Sequence, residues 1–540
     1  MKKIYSLFTF CTILSMLSQA SARDFTYTYE GQTITYTVLD EEAKTCATKA
    51  GEDSLIIAGN SVSGDLILPS NPKDGDTEFT LTEIADYSFS KCMELTSVNI
   101  PNSVQNIGDA AFITCLNLTS VTIPNSVKAI GIFAFSDCIT LTSVDIPNLI
   151  QTISKASFLG CSKLTFVTIP DSVQIIGEAA FCACKGLTSV TIPNSVQSIG
   201  DRAFGNCAGL ATITIPNSVQ SIGHEAFAGC SGLTSITMGN SVQTLGEASF
   251  YKCTKLSSIS LGGSVHTIGR QAFYDCSVLT SVSIPNSVQI IGDLAFTGCT
   301  KLMSITIPSS VKSIGKEVFV RCSALKSINV DERNLYYASF DDALYNKDFT
   351  SLIAYPANRK YDNSIPNSVR TICDYAFYGC NRLSSIDIPD SVQTIGNGAF
   401  YDCTGLKSMT IPNSIQNIGQ GAFLYCAELS SIYYNSENPV TCDYGCFMNS
   451  TMNKATLYMP AKGIEKAKEM EPWKFFRNIQ AYDFGGVEDI VAEKVGEIDY
   501  SAPYEIYNFN GVKVGNDKDA LAPGLYIIRQ GACTKKITIQ

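Results

Sequence analysis

Apolar positions recur along most of this chain with a period of 23 residues. One copy reads Leu118-Thr-Ser-Val121-Thr-Ile123-Pro124-Asn125-Ser126-Val127-Lys-Ala-Ile130-Gly131 and ends with Phe135 and Cys138. Leu-x-x-Val-x-Ile alternates with the period of an extended chain. It predicts a short strand with Val121 and Ile123 on one face and Ser120 and Thr122 on the other. Proline stops that strand. The stretch from Val127 to Ile130 predicts a second short extended piece, Gly131 a turn, and the Ala-Phe before each Cys a single helical turn.

Cysteines 92, 115, 138, 161, 184, 207, 230, 253, 276, 299 and 322 keep the period, and 380, 403 and 426 resume it, fourteen units in all. No unit buries its apolar side alone, but stacking in register sets each Phe, Leu and aliphatic pair against its copies and creates one continuous core. Strands about 4.8 Å apart hold neighbouring Cβ atoms slightly beyond the roughly 3.5–4.5 Å that a disulfide favours. The ladder cysteines therefore read as free, buried thiols used as small packing residues.

The unit Cys-x-x-Leu-x-x-Val/Ile-x-Ile-Pro-x-Ser-Val-x-x-Ile-Gly-x-x-Ala-Phe-x-x-Cys resembles the BspA-like leucine-rich repeats of bacterial surface proteins, over about residues 79 to 450. The resemblance implies a β-rich leucine-rich-repeat solenoid of α/β type, right-handed. It also implies a surface or secreted protein that binds host matrix proteins or other cells.

The ends and one interruption break the pattern. Residues 1–22 carry Lys2 and Lys3, an apolar stretch and Ala20-Ser21-Ala22, the layout of a secretory signal peptide. Residues 23–78 alternate around Glu30-Gly31-Gln32 and predict a hairpin that caps the open end of the solenoid, which is expected over 79–450. An enlarged repeat near 331–364 is rich in aromatics around a polar turn and predicts a β-hairpin at 335–356. There Tyr336, Tyr337, Phe340 and Tyr345 are candidate ligand contacts. Residues 451–483 hold a helical stretch and Trp473, a second cap, and 484–503 an acidic linker. Three alternating runs in 504–540 predict a small all-β, sandwich-like domain. Its Asn-Gly, Pro-Gly-Leu-Tyr-Ile and terminal Lys-Lys-Ile-Thr-Ile resemble the sorting domain of the type IX secretion system of Bacteroidota. That resemblance implies engagement of the secretion machinery and a place outside a Gram-negative cell, attached or released.

Charge narrows the partners. With 16% charged residues and a net charge of -11, the chain lacks the basic footprint that nucleic acid or an anionic membrane needs, and past the leader no apolar run is long enough to span a bilayer. His224 and His266 sit at variable surface positions, and no nucleophile elbow, phosphate loop or His-Glu metal motif is present. The expectation is a protein without cofactor, metal or catalytic site. A polysaccharide-processing enzyme is the catalytic alternative, but it needs paired carboxylates. The outward strand positions offer only Asp145 and Asp387, far apart in sequence. Those positions are otherwise hydroxyl-rich: Ser120, Thr122, Ser143, Asp145, Phe166, Thr168, Ser189, Thr191, Thr212 and Thr214 form a candidate face for a protein or glycan ligand, with Phe166 its one aromatic. A purely structural surface antigen is the third reading. A row of Gln from Gln105 to Gln416 and the Asn after each Pro, such as Asn125 and Asn194, read as side-chain ladders along the stack.

Overall fold

The computed structural model describes residues 23–52, 59–359, 365–442, 444–484, 499–508, 513–518, 524–530 and 533–539. The proposed leader, residues 1–22, lies outside the described residues. The chain forms two units, 1–336 and 337–540, each a stack of coils.

In the first unit the hairpin Asp24–Tyr29 and Gln32–Asp40 pairs antiparallel, with Phe25 opposite Tyr36. Thr45–Thr48 then turns the sheet parallel by pairing with Thr80–Ile84, which leads to Asn106–Ile107 and Ala129–Ile130. The same alternation that predicts the hairpin buries Phe25, Ile34, Tyr36 and Val38. Phe25 lies 5.4 Å from the Tyr36 ring and 5.2 Å from the Phe79 ring. These residues supply the apolar partner that the first coil otherwise lacks.

Most coils contribute two strands. The second extended piece is only two residues long in each copy, yet it builds an unbroken eight-stranded parallel ladder from Thr152–Ile153 to Ser313–Ile314. The longer strand after Leu is paired less regularly. Its ladder divides into Gly64–Ile67 with Leu95–Asn99 and Ser120–Thr122, then Ser143–Asp145 with Phe166–Thr168, then four strands from Thr212–Ile215 to Ser281–Ser283, then Ser304–Ile307 with Ser327–Val330. The strand expected at Ser189 to Thr191 does not form. At that coil the N–H of Thr188 reaches Thr165 O at 3.4 Å and that of Ala211 reaches Thr188 O at 3.3 Å, while Gln197 N–H donates to Gln174 O at 2.8 Å. The coil is held tightly on its short-strand side and loosely on its long-strand side.

The Ala-Phe segment is not a helical turn. It forms two successive tight turns, closed by Ile113 N–H to Ala110 O and Cys115 N–H to Phe112 O, with Ala110 at φ 50° and Thr114 at φ 60°. These left-handed residues aim alternate N–H groups along the stack: Ala110, Phe112 and Thr114 donate to Ile132, Ala134 and Ser136 of the next coil at 2.7–2.8 Å. A right-handed helical turn would point all its N–H groups along its own axis and leave this edge without an inter-coil ladder. Each left-handed non-glycine residue costs about 1–2 kcal/mol, which the added hydrogen bonds offset.

Inside, Phe rings stack coil upon coil at 5.2–5.6 Å from Phe89 to Phe296, within 14° of parallel. The cysteines do more than fill space. Most ladder thiols donate to the carbonyl of the Phe in the preceding coil, as Cys138 Sγ to Phe112 O at 3.2 Å and Cys207 Sγ to Phe181 O at 3.1 Å, while Cys92 donates to Asn60 O. None of the nineteen cysteines from Cys46 to Cys446 forms a disulfide, Cys442 and Cys446 included. Gly131 serves close approach rather than a left-handed turn: a Cβ there would lie 2.4 Å from the backbone of Gly108.

The second unit opens with Tyr337–Phe340, Ala343–Asn346 and Ser351–Ala354, antiparallel neighbours that pass into the parallel ladder Thr371–Ile372, Thr394–Ile395 and Asn417–Ile418. The other face runs Ser385–Asp387, Ser408–Ile411, Ser431–Tyr434, Thr456–Met459 and Asn478–Ala481. Its last coil ends on short helices, Asn449–Lys454 and Ile464–Glu469, and on Trp473. Trp473 is fully buried between Tyr434, Phe447 and Phe476, and its indole N–H donates to Val440 O at 2.7 Å. The tail differs from its expected three strands. Glu505–Asn508, Lys513–Gly515, Gly524–Gln530 and Cys533–Ile539 make one four-stranded antiparallel sheet around Ile506 and Ile528, because the run from Tyr504 to Val514 holds two paired strands.

Candidate functional site

The ten residues of the candidate face are all exposed. Parallel register brings some of them side by side: Ser120 lies opposite Ser97, Ser143 opposite Phe166, and Asp145 opposite Thr168. Further along, Thr212 and Thr214 face Ser235 and Thr237. Ser189 and Thr191 stand on the coil without a strand and so outside this register. Phe166 leaves 54% of its surface in water, an unusual exposure for so large an apolar ring.

Two columns of hydroxyls run along the strands with different duties. Thr119, Thr142 and Thr165, one residue before the outward positions, donate to the carbonyls of Thr96, Thr119 and Thr142 in the preceding coils. Their hydroxyls are committed to the stack. Among the described residues, the side chains of Ser120, Thr122, Ser143, Ser189, Thr191, Thr212 and Thr214 take no hydrogen bond and remain open to a ligand.

The carboxylates on this face are engaged. Thr168 Oγ1 donates to Asp145 Oδ1 at 2.8 Å. Thr410, which is buried, does the same to Asp387 in the second unit at 2.8 Å. One face carboxylate was not legible in the repeat. Asp65 lies on Gly64–Ile67, a strand ahead of the first clean copy, opposite Ser97. It accepts from Ser97 at 2.6 Å and Thr96 at 2.7 Å, bonds that hold its carboxyl below the usual range.

In the enlarged repeat, Tyr336 and Phe340 are 47% and 46% exposed, and Tyr337 is half-buried. Tyr345 is removed from the contact set: it is 2% exposed, with its ring 5.5 Å from Phe349, because its strand is the middle one of three and turns this side chain inward. His224 and His266 are exposed.

The Gln row behaves differently from its expected side-chain ladder. Among the described residues no Gln amide side chain bonds the next; the coil-to-coil bonds are in the backbone, as Gln174 N–H to Gln151 O at 2.8 Å. Lysines use two of the side chains instead, Lys128 on Gln105 and Lys312 on Gln289. The Asn residues do form turn ladders in places, with Asn217 Oδ1 accepting from Asn240 N–H at 2.7 Å. On this side of the stack, away from the candidate face, an open cleft of about 530 Å³ spans four coils and is lined by Leu149, Gln151, Asp171, Gln174, Gln197 and Ser218 among others.

This arrangement of short parallel strands, stacked Phe and one coil per 23 residues defines a leucine-rich-repeat solenoid. The model of the BspA type leucine rich repeat region matches residues 82–210, 151–279, 266–363 and 357–468, and the chain belongs to that family. No curated protein matches the chain significantly. Solved structures that resemble it include a leucine-rich repeat protein from Bacteroides ovatus, 25% identical over 85% of this chain and 100% of that one, with a TM-score of 0.48. The pneumococcal vaccine antigen PcpA is 17% identical over 85% of this chain and 99% of its own, TM-score 0.31. A leucine rich cell surface protein from Faecalibacterium prausnitzii is 22% identical, covering 86% and 96%, TM-score 0.29.

Proposed function

We propose that this chain is an exported surface protein that captures a protein or glycan ligand through the long-strand face. The observation that carries the reading is the column of uncommitted, exposed hydroxyls around Phe166. A face built only for stacking would use those groups as it uses Thr119, Thr142 and Thr165. Repetition over many coils supplies affinity through area and multiple weak contacts rather than through one deep pocket. The exposed Phe166 is the natural anchor, since aromatic side chains dominate interface energetics. Tyr336 and Phe340 of the enlarged repeat are secondary contacts. The leader-like residues 1–22 and the strand-forming tail from 504 support export, with the tail acting as the sorting signal of type IX secretion. Among the described residues no helix is long and apolar enough to cross a membrane.

Binding of the purified protein to immobilised matrix proteins and glycans, compared between wild type and Phe166→Ala, tests the face. A ligand held equally well by both proteins counts against it. Turnover of a polysaccharide would overturn the non-enzymatic reading. Deletion of residues 484–540 is expected to retain the protein in the periplasm, and unchanged surface display would remove the sorting assignment.

A further inference from the structure

We propose a second binding site, for a neutral oligosaccharide, in the cleft on the short-strand side of the first unit. The repeat departs from its own pattern at this place. The second residue after the proline position is Ser in every other clean copy, from Ser103 to Ser414, but Leu at 149; the first is most often Asn, but Asp at 171, as it is again at 390 in the second unit. Both departures line the cleft. Leu149 is 49% exposed, so the substitution puts apolar surface into water where the repeat has a small hydroxyl, with no gain in the core.

The polar lining suits a sugar. Gln151, Gln174 and Gln197 are exposed at one per coil, and among the described residues their side-chain amides, like the Asp171 carboxylate, take no hydrogen bond. Each amide offers donors and an acceptor, and the carboxylate adds two acceptors, a set that matches vicinal hydroxyls. Ser195 and Ser218, also in the lining, have hydroxyls without a partner, whereas Ser172 donates to Ile150 O at 2.7 Å. The Ser195 and Ser218 oxygens are buried from solvent, and Ser103 and Ser391 share that state, so the site rests on the exposed amides, Asp171 and Leu149 and not on these hydroxyls.

Other ligand classes fit less well. An extended peptide would need free backbone groups, but the backbone N–H groups of Gln174, Gln197 and Gln220 are all used between coils, each at 2.8 Å. No basic residue lines the cleft, and Asp171 repels anions, which disfavours sulfated or uronic polymers. Leu149 supplies the apolar surface on which the C–H face of a pyranose ring rests. Polar groups repeating once per coil then meet successive sugar units. The site shares coils with Phe166 but lies on the other ladder, so it does not depend on the strand-face reading.

The test is retention of the purified protein on an array of neutral hexasaccharides (chito-, cello-, laminari-, manno- and maltohexaose) beside sulfated and uronic oligomers. At least one neutral hexasaccharide is expected to bind and the anionic ones not. Asp171→Ala and Gln174→Ala each should weaken that binding by about tenfold, the loss of one charged or amide hydrogen-bonding group. Leu149→Ser, which restores the residue of the repeat, should weaken it with no fall in melting temperature, so a loss of fold cannot be the cause. Phe166→Ala should leave it unchanged. Failure of every neutral hexasaccharide to bind overturns the proposal. So does binding that survives Leu149→Ser, Asp171→Ala and Gln174→Ala, or binding that only Phe166→Ala removes, which would place the sugar on the strand face.

Discussion

Alkaline pH should unfold this protein from the inside. Burial pushes the thiols of Cys230, Cys276 and Cys322 up to about 12 from an ordinary value of 9.0, and all three are at most 1% exposed. A thiol held neutral by burial has a folded-state pKa above its unfolded one. Its contribution to stability is complete below pH 9 and is lost as pH rises from about 9 toward 12, because only the unfolded chain can ionise there. At about pH 10 each such thiol favours unfolding by about 1.4 kcal/mol, so the three together remove about 4 kcal/mol from the segment that holds them. That is a large share of the roughly 5–15 kcal/mol by which folded domains exceed their unfolded states. The assay is urea unfolding under reducing conditions, followed by circular dichroism between about pH 8 and about pH 10. It compares wild type with a triple variant carrying Cys230→Ala, Cys276→Ala and Cys322→Ala. The variant starts less stable, since it loses three buried sulfurs, but its stability should fall less with pH. If the two proteins lose stability in parallel over this range, the thiols are not the groups that titrate on unfolding, and the buried, protonated ladder is wrong.

Phe204→Ala removes a fully buried ring stacked at 5.5 Å on both Phe181 and Phe227, and is expected to cost about 3–5 kcal/mol. Hydrogen exchange should show the loss of protection concentrated in adjacent coils; an even loss along the stack would contradict nearest-neighbour stability. Gly246→Ala places a Cβ about 2.5 Å from the backbone of Gly223 and should cost about 1–3 kcal/mol in a thermal melt, and a neutral result would refute the close approach. Trp473 is the only Trp of the chain, so its emission reports the end coil of the second unit directly. Trp473→Phe should cost about 1–3 kcal/mol by leaving Val440 O without its donor, measured by chemical denaturation with circular dichroism.

The period of 23 and the alternation of the Leu-x-x-Val-x-Ile segment were enough to say which positions of a typical coil face the core, because inside and outside are set by local backbone geometry that repeats with the sequence. The free thiols also followed, from strand spacing alone. What the pattern did not contain is how one coil meets the next. A single helical turn at Ala-Phe satisfies local propensity, but the edge of a stack needs N–H groups aimed along its axis, and only left-handed residues such as Ala110 and Thr114 provide them. The thiol-to-carbonyl bonds, the strand missing at Ser189, the inward turn of Tyr345 and the burial of Thr410 likewise depend on distances between coils. The cleft illustrates the division most directly. Leu149 and Asp171 stand in the sequence as minor departures from a repeat, and only the stacking of four coils sets them beside three uncommitted glutamines.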